Sequence, residues 1–217
     1  MRKTHRAIAV FLTALLLFSL GVSAQTETSR KISLPKPQTD GGRPLMQVLK
    51  DRISTRAFAT RRLSDQTLSN LLWAACGINR ADGKRTAPSA MNKQEMDVYV
   101  VLAEGAYLYE PKEHLLKQVS NSDLRAQAGT QDFVKDAPVN LVYVVDTAKM
   151  GSNPEETKIL WYGVATGAIT QNVYLYCASE GLVTVARAFV DRAVLAKSLS
   201  LRPEQRITLS QTVGYSR

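Results

Sequence analysis

From Pro44 onward the apolar residues fall into runs whose period changes between three-to-four and two. Leu45, Val48 and Leu49 predict a short helix that Pro44 opens. Ser64 is a good N-cap for a second helix, in which Leu68, Leu71, Leu72 and Ala75 repeat at the spacing of a buried face until Gly77. Residues 97–103 and 106–109 read as strands joined at Glu104-Gly105, a hairpin that Pro111 stops. Leu115 to Ala128 reads as one or two short helices, and residues 139–145 as a buried central strand ending at Asp146. Asn153-Pro154-Glu155-Glu156 starts a long helix along Ile159, Tyr162, Thr166, Ile169, Val173 and Tyr176 to Gly181. Gly163, Gly167 and Ala168 on it allow another backbone to approach, as at a domain core or dimer interface. A strand over 182–189, a short helix capped by Asp191 and a strand over 205–213 complete the chain.

What precedes Pro44 has a different character. Arg2, Lys3 and Arg6 lead an apolar run over 7–22, and Val22-Ser23-Ala24 offers small residues for a signal peptidase. Residues 1–24 are therefore expected to be a secretory signal, residues 25–43 a flexible leader, and residues 44–217 one domain in an exported, periplasmic protein. The apolar run is short for a spanning helix, so an uncleaved anchor is the lesser alternative and no stable membrane span is expected after cleavage. Loss of the signal leaves 25 basic against 19 acidic side chains, a net charge of about +6. The positive residues are scattered among acids, without the basic stripe and aromatic platforms that nucleic-acid binding requires. Cys76 and Cys177 lie inside apolar helical patterns and are expected to be buried free thiols. With His114 they are too few for a metal site.

Two stretches carry candidate chemistry. Arg52-Ile53-Ser54-Thr55-Arg56 places two guanidinium groups around a hydroxyl pair near a helix end, a clamp for phosphate or carboxylate. Ala87-Pro88-Ser89-Ala90-Met91-Asn92-Lys93-Gln94, between a helix and a strand, has little bulk to keep a flat polar ligand away from its backbone amides and carboxamides.

The order of these motifs resembles the nitroreductase family of FMN flavoproteins. The shared pieces are Arg52-x-Ser54-x-Arg56, Leu71 to Ile78, Pro88-Ser89-Ala90-x-Asn92-x-Gln94, Gln131-Asp132-Phe133 before Ala137-Pro138-Val139, Gln171-Asn172 with Gly181-Leu182, and Val213-Gly214-Tyr215. They run from about residue 45 to the C-terminus. The resemblance implies an α+β fold, with a mixed, mainly antiparallel sheet flanked by helices, in an intertwined homodimer holding two FMN molecules. It implies that Arg52, Ser54 and Arg56 hold the phosphate, ribityl chain and pyrimidine edge, and that Pro88, Ser89, Ala90 and Asn92 reach the same flavin from the partner subunit. Gln131 is implied at the pyrimidine, and Arg187 and Ala188 where backbone amides meet flavin O4 and N5. The basic residue that many relatives carry beyond the last strand is assigned to Arg217, with Arg52 and Arg85 as the alternative. Arg187 departs from relatives that have an acid there, so its side chain is expected near the flavin or in solvent.

A flavin carries the redox chemistry itself, so no catalytic side chain is required. The implied function is an FMN-dependent oxidoreductase that reduces nitroaromatic or quinone-like acceptors by ping-pong hydride transfer, fed by NAD(P)H or another donor. An azoline-oxidase-like dehydrogenase is one alternative, because the Leu71–Asn79 run and the Gln211–Tyr215 ending look like that branch. A non-catalytic flavin-binding dimer is the other.

Overall fold

A computed structural model describes residues 30–217; the expected signal segment, residues 1–24, lies outside them. Seven strands form one sheet: β1 (Lys31–Ser33), β2 (Met96–Leu102), β3 (Gly105–Glu110), β4 (Leu115–Ser120), β5 (Val139–Asp146), β6 (Val183–Arg187) and β7 (Gln205–Gly214). Their order across the sheet is β1-β4-β3-β2-β5-β7-β6, and every pairing among them is antiparallel. The helices are α1 (Leu45–Asp51), α2 (Asp65–Cys76), α3 (Phe133–Asp136), α4 (Glu155–Ser179) and α5 (Arg192–Ser198).

Strand alternation explains why β2 and β5 read as mostly apolar runs. Val98, Val100 and Leu102 turn to one face with Leu141, Tyr143 and Val145, where Leu71 and Leu72 of α2 and Ala165, Ile169 and Val173 of α4 cover them. Tyr99 and Val101 turn to the other face with Val142 and Val144, under Val134 of α3 and Leu195 of α5. Both faces are thus buried, and period two hides inside a hydrophobic run.

The start of α2 follows its sequence closely. Ser64 accepts a hydrogen bond from the Thr67 N–H, Asp65 sits in the positively polarised first turn, and the Gly77 N–H closes onto the Trp73 carbonyl. Cys76 and Cys177 are buried and free. Burial pushes the Cys76 thiol up to about 12 and the Cys177 thiol higher still, so neither supplies thiolate.

Two expectations are overturned. Leu115 to Ser120 is β4, not helix, and Arg125–Gln127 is a single 3-10 turn. Leu115, Leu116 and Val119 suit either period over so short a run. The open edge of β3 decides the matter, because it pairs Tyr109 with Leu116 and Glu110 with Leu115 across the Pro111–His114 turn. The described part of the leader is likewise structured. Ile32 pairs with Leu116, and Ile32 and Leu34 pack on the core. The Ser69 hydroxyl donates to the Pro35 carbonyl, and the Gln38 N–H donates to Asn70 Oδ1.

His114 latches this strap. Ser69 Oγ lies 2.7 Å from His114 Nε2, and the Tyr109 hydroxyl 2.9 Å from Nδ1. Ser69 already gives its proton to Pro35, so it accepts from Nε2–H, and Nδ1 accepts from the tyrosine: the neutral imidazole fits. Burial lowers the His114 pKa below the ordinary 6.5, a hydrogen bond with the Pro35 backbone opposing. The stability this neutral form contributes is therefore complete above pH 6.5 and is lost as pH falls through the lowered folded value. Between pH 6.5 and 5 the melting temperature of the native protein should fall more steeply than that of His114→Gln, with faster amide exchange at Ile32–Leu34. Parallel curves for the two proteins would refute the latch.

Candidate functional site

The basic motif begins where α1 ends. Arg52 is the C-cap of α1, and its N–H closes onto the Val48 carbonyl. From there the chain is stitched to β6 and α4. The Thr55 N–H donates to Thr184 O at 3.0 Å, and Ser54 Oγ lies 2.9 Å from the Tyr174 hydroxyl, which also accepts from the Ala186 N–H at 2.9 Å. The Arg52 guanidinium lies over the Tyr174 ring, 5.2 Å from its centre. Two residues past Arg56, Phe58 is buried, stacks on Phe133 at 5.5 Å and forms an isolated bridge with Ser216. That bridge sets Arg217 beside the segment carrying Arg56, while the Arg61 guanidinium lies 4.2 Å from the centre of the Tyr215 ring.

Arg52 thus stacks on Tyr174, Arg61 stacks on Tyr215, and the segment carrying Arg56 runs beside Arg217. Among the described residues none of these arginines has a carboxylate partner. The nearest acid in sequence, Asp51, is taken by Arg43. Guanidinium groups with no internal counter-ion are suited to an external anion. The segment carrying Gln131 is tied to the residues after β6, because the Thr130 N–H donates to the Phe189 carbonyl next to Ala188. Ala188 and Phe189 are exposed there.

The Arg187 side chain, expected near the ligand or in solvent, is in neither place. It is only 4% exposed and turns into the protein, donating to Ala128 O, Asn140 Oδ1 and Thr212 Oγ1 at 3.0, 3.0 and 2.6 Å. Burial pushes its pKa down to about 10, so it stays charged at neutral pH. The pleat is the reason. Arg187 pairs with Ser210 on β7, and at this register its side chain enters the face beneath Phe133, whereas Ala186 keeps its N–H toward Tyr174. Only the backbone at 187–188 remains a candidate for ligand contact.

The second motif forms an exposed, strained turn. Ala90–Asn92 is a 3-10 turn in which Met91 and Asn92 have φ near +50°, with Gln94 at +48° two residues on. Non-glycine residues in this region cost energy and mark sites where the surroundings impose the geometry. The Gln94 N–H donates to Ser89 Oγ, and its side-chain amide donates to Asn92 Oδ1 and Gly83 O. Of the two carboxamides in the motif, Gln94 therefore holds the turn, and the Asn92 NH2 has no partner among the described residues. Arg85 donates to the Met96 carbonyl and stays at this turn, where Arg80 donates to the Arg85 carbonyl.

Within one chain the two motifs do not meet. Pro88 and Ser89 border α4 at Ala165 and Ile169, whereas Arg52 and Ser54 reach it at Tyr174, roughly half a turn round the helix at 3.6 residues per turn. Tyr174 is the site residue that sequence reasoning missed. Its only signal was a hydroxyl-tipped aromatic standing off the apolar seam beside Val173.

The sequence profile of the Nitroreductase family matches residues 49–215, a span that includes every candidate site residue except Arg217. The chain belongs to the nitroreductase family. A Ralstonia eutropha JMP134 crystal structure assigned as a nitroreductase is 43% identical and superposes with a TM-score of 0.83, over 88% of this chain and 91% of that one. A Methanocaldococcus jannaschii protein with the same assignment is 30% identical over 161 residues, 69% of this chain and 81% of its own. The fold, without close sequence identity, recurs in the Escherichia coli microcin synthetase McbBCD complex at 19% identity and a TM-score of 0.67, over 96% of this chain and 85% of that one. Membership places the chain among flavin-type oxidoreductases.

Proposed function

We propose that this nitroreductase-family protein is an exported, FMN-dependent oxidoreductase that works as a homodimer and reduces nitroaromatic or quinone-like acceptors. The observation that carries the reading is that Arg52 and Ser54 both meet Tyr174 while the segment carrying Arg56 runs beside Arg217, with no carboxylate partner for these arginines among the described residues. This donor set fits the phosphate of FMN, which offers only acceptors and negative charge. Arg52 and Arg56 would neutralise that phosphate, Ser54 would donate to it, and the NH2 of Asn92 from a second copy would reach the same ligand. Bound FMN supplies the hydride chemistry.

A second copy answers a further feature. Leu45, Met46 and Ile53 are 60, 76 and 64% exposed, and Leu160 and Val164 on α4 are 64 and 63% exposed. Apolar exposure on this scale marks an association surface. A Cβ placed at Gly163 or Gly167, between and beyond these α4 residues, would meet nothing within 4 Å, which leaves room for a close backbone.

The purified protein should be yellow, should sediment as a dimer and should lose its flavin absorbance on rapid mixing with NADH, NADPH or an envelope reductant. Colourless protein that FMN cannot reconstitute would reject the proposal. So would flavin that no donor bleaches.

A further inference from the structure

Tyr174 stands where α4, β6 and the Arg52–Thr55 segment meet, and the direction of its hydrogen bonds follows from the donors present. The Ala186 N–H can only donate, so it occupies a lone pair of the phenol oxygen. The phenol's own proton has one acceptor within reach among the described residues, Ser54 Oγ at 2.9 Å. Donation from Tyr174 to Ser54 Oγ is the arrangement that gives this proton a protein acceptor. The Ser54 proton then has no protein partner among the described residues, and the exposed hydroxyl must direct it outward. The same ring carries the Arg52 guanidinium on its face, 5.2 Å from the centre. Ser54 thus becomes a donor alongside a cation that no carboxylate neutralises among the described residues.

We infer that Tyr174 is a positioning residue that fixes the Ser54 hydroxyl as an outward donor and holds Arg52 beside it, so that the pair receives an oxygen able only to accept, the terminal oxygen of a phosphate monoester. The inference rests on the FMN reading above and adds the residue that orders its phosphate contacts. An unanchored serine hydroxyl samples three staggered wells and lacks the strengthening that a donor on its oxygen provides, so loss of the phenol OH weakens phosphate binding by about three- to tenfold. Loss of the ring as well releases Arg52 and weakens it further.

The test is titration calorimetry of the full-length apoprotein with FMN and with riboflavin, for the native protein, Tyr174→Phe, Ser54→Ala and the double variant. Tyr174→Phe should weaken FMN binding by that factor, leave riboflavin binding unchanged and have no further effect once Ser54 is alanine. Tyr174→Leu should weaken FMN binding more than Tyr174→Phe. Equal losses for both ligands, or additive effects of the two substitutions, would overturn the inference, since a tyrosine that only supports the fold would produce those results. If the native protein binds neither flavin, the FMN reading fails, and inorganic phosphate becomes the probe. Phosphate affinity that falls in both single variants then upholds the inference, and absence of phosphate binding overturns it.

Discussion

Arg187→Ala is expected to lower the unfolding free energy by about 3 kcal/mol in urea titrations, the loss typical of a dismantled buried hydrogen-bond network. The guanidinium joins the 3-10 turn at Ala128, β5 at Asn140 and β7 at Thr212, and its removal leaves the Ala128 carbonyl without that partner inside the core. Among the described residues no carboxylate pairs with it, so the charge is held there by oriented neutral acceptors. Arg187→Lys should recover only part of the loss, because an ammonium cannot span the planar set of acceptors. Gly129→Ala probes the same network from the other side, since a Cβ there would fall on Arg187 Nη1. A loss below about 0.5 kcal/mol for Arg187→Ala, the range of ordinary surface substitutions, would contradict the structural role.

The second large effect concerns the ligand. Arg52→Ala should weaken FMN retention by about 1.5–3 kcal/mol, roughly ten- to 150-fold in Kd, the range for a hydrogen bond to a charged group. Equilibrium dialysis against FMN measures it directly. Arg56→Ala should cost less, because Arg56 is exposed whereas Arg52 is half-buried and braced on the Tyr174 ring. Unchanged FMN occupancy in the Arg52 variant would move the anion clamp to Arg61 and Arg217.

Much of the fold was legible before any coordinate. The cap at Ser64, the hairpin at Glu104-Gly105, the run ending at Asp146 and the long helix after Pro154 all appear close to their expected positions. Each rests on local chemistry: a side-chain cap, a turn glycine, an apolar period sustained for several turns. The basic motif was legible for the same reason, since two guanidinium groups and a hydroxyl within five residues must share a neighbourhood. The strap and β4 were not legible. Lys31–Ser33 and Leu115–Ser120 have too few residues to declare a period, and each became a strand only because a neighbouring edge offered hydrogen bonds.

By itself the sequence determined which segments form the long helices and long strands and which family the chain resembles. Those are consequences of spacing along the chain. Only the tertiary structure decided that Arg187 turns inward, that Tyr174 ties Ser54 to β6, and that the Pro88–Asn92 turn meets a different side of α4 from Arg52. These depend on strand register and on which side of α4 each segment meets, and residues distant in sequence set both.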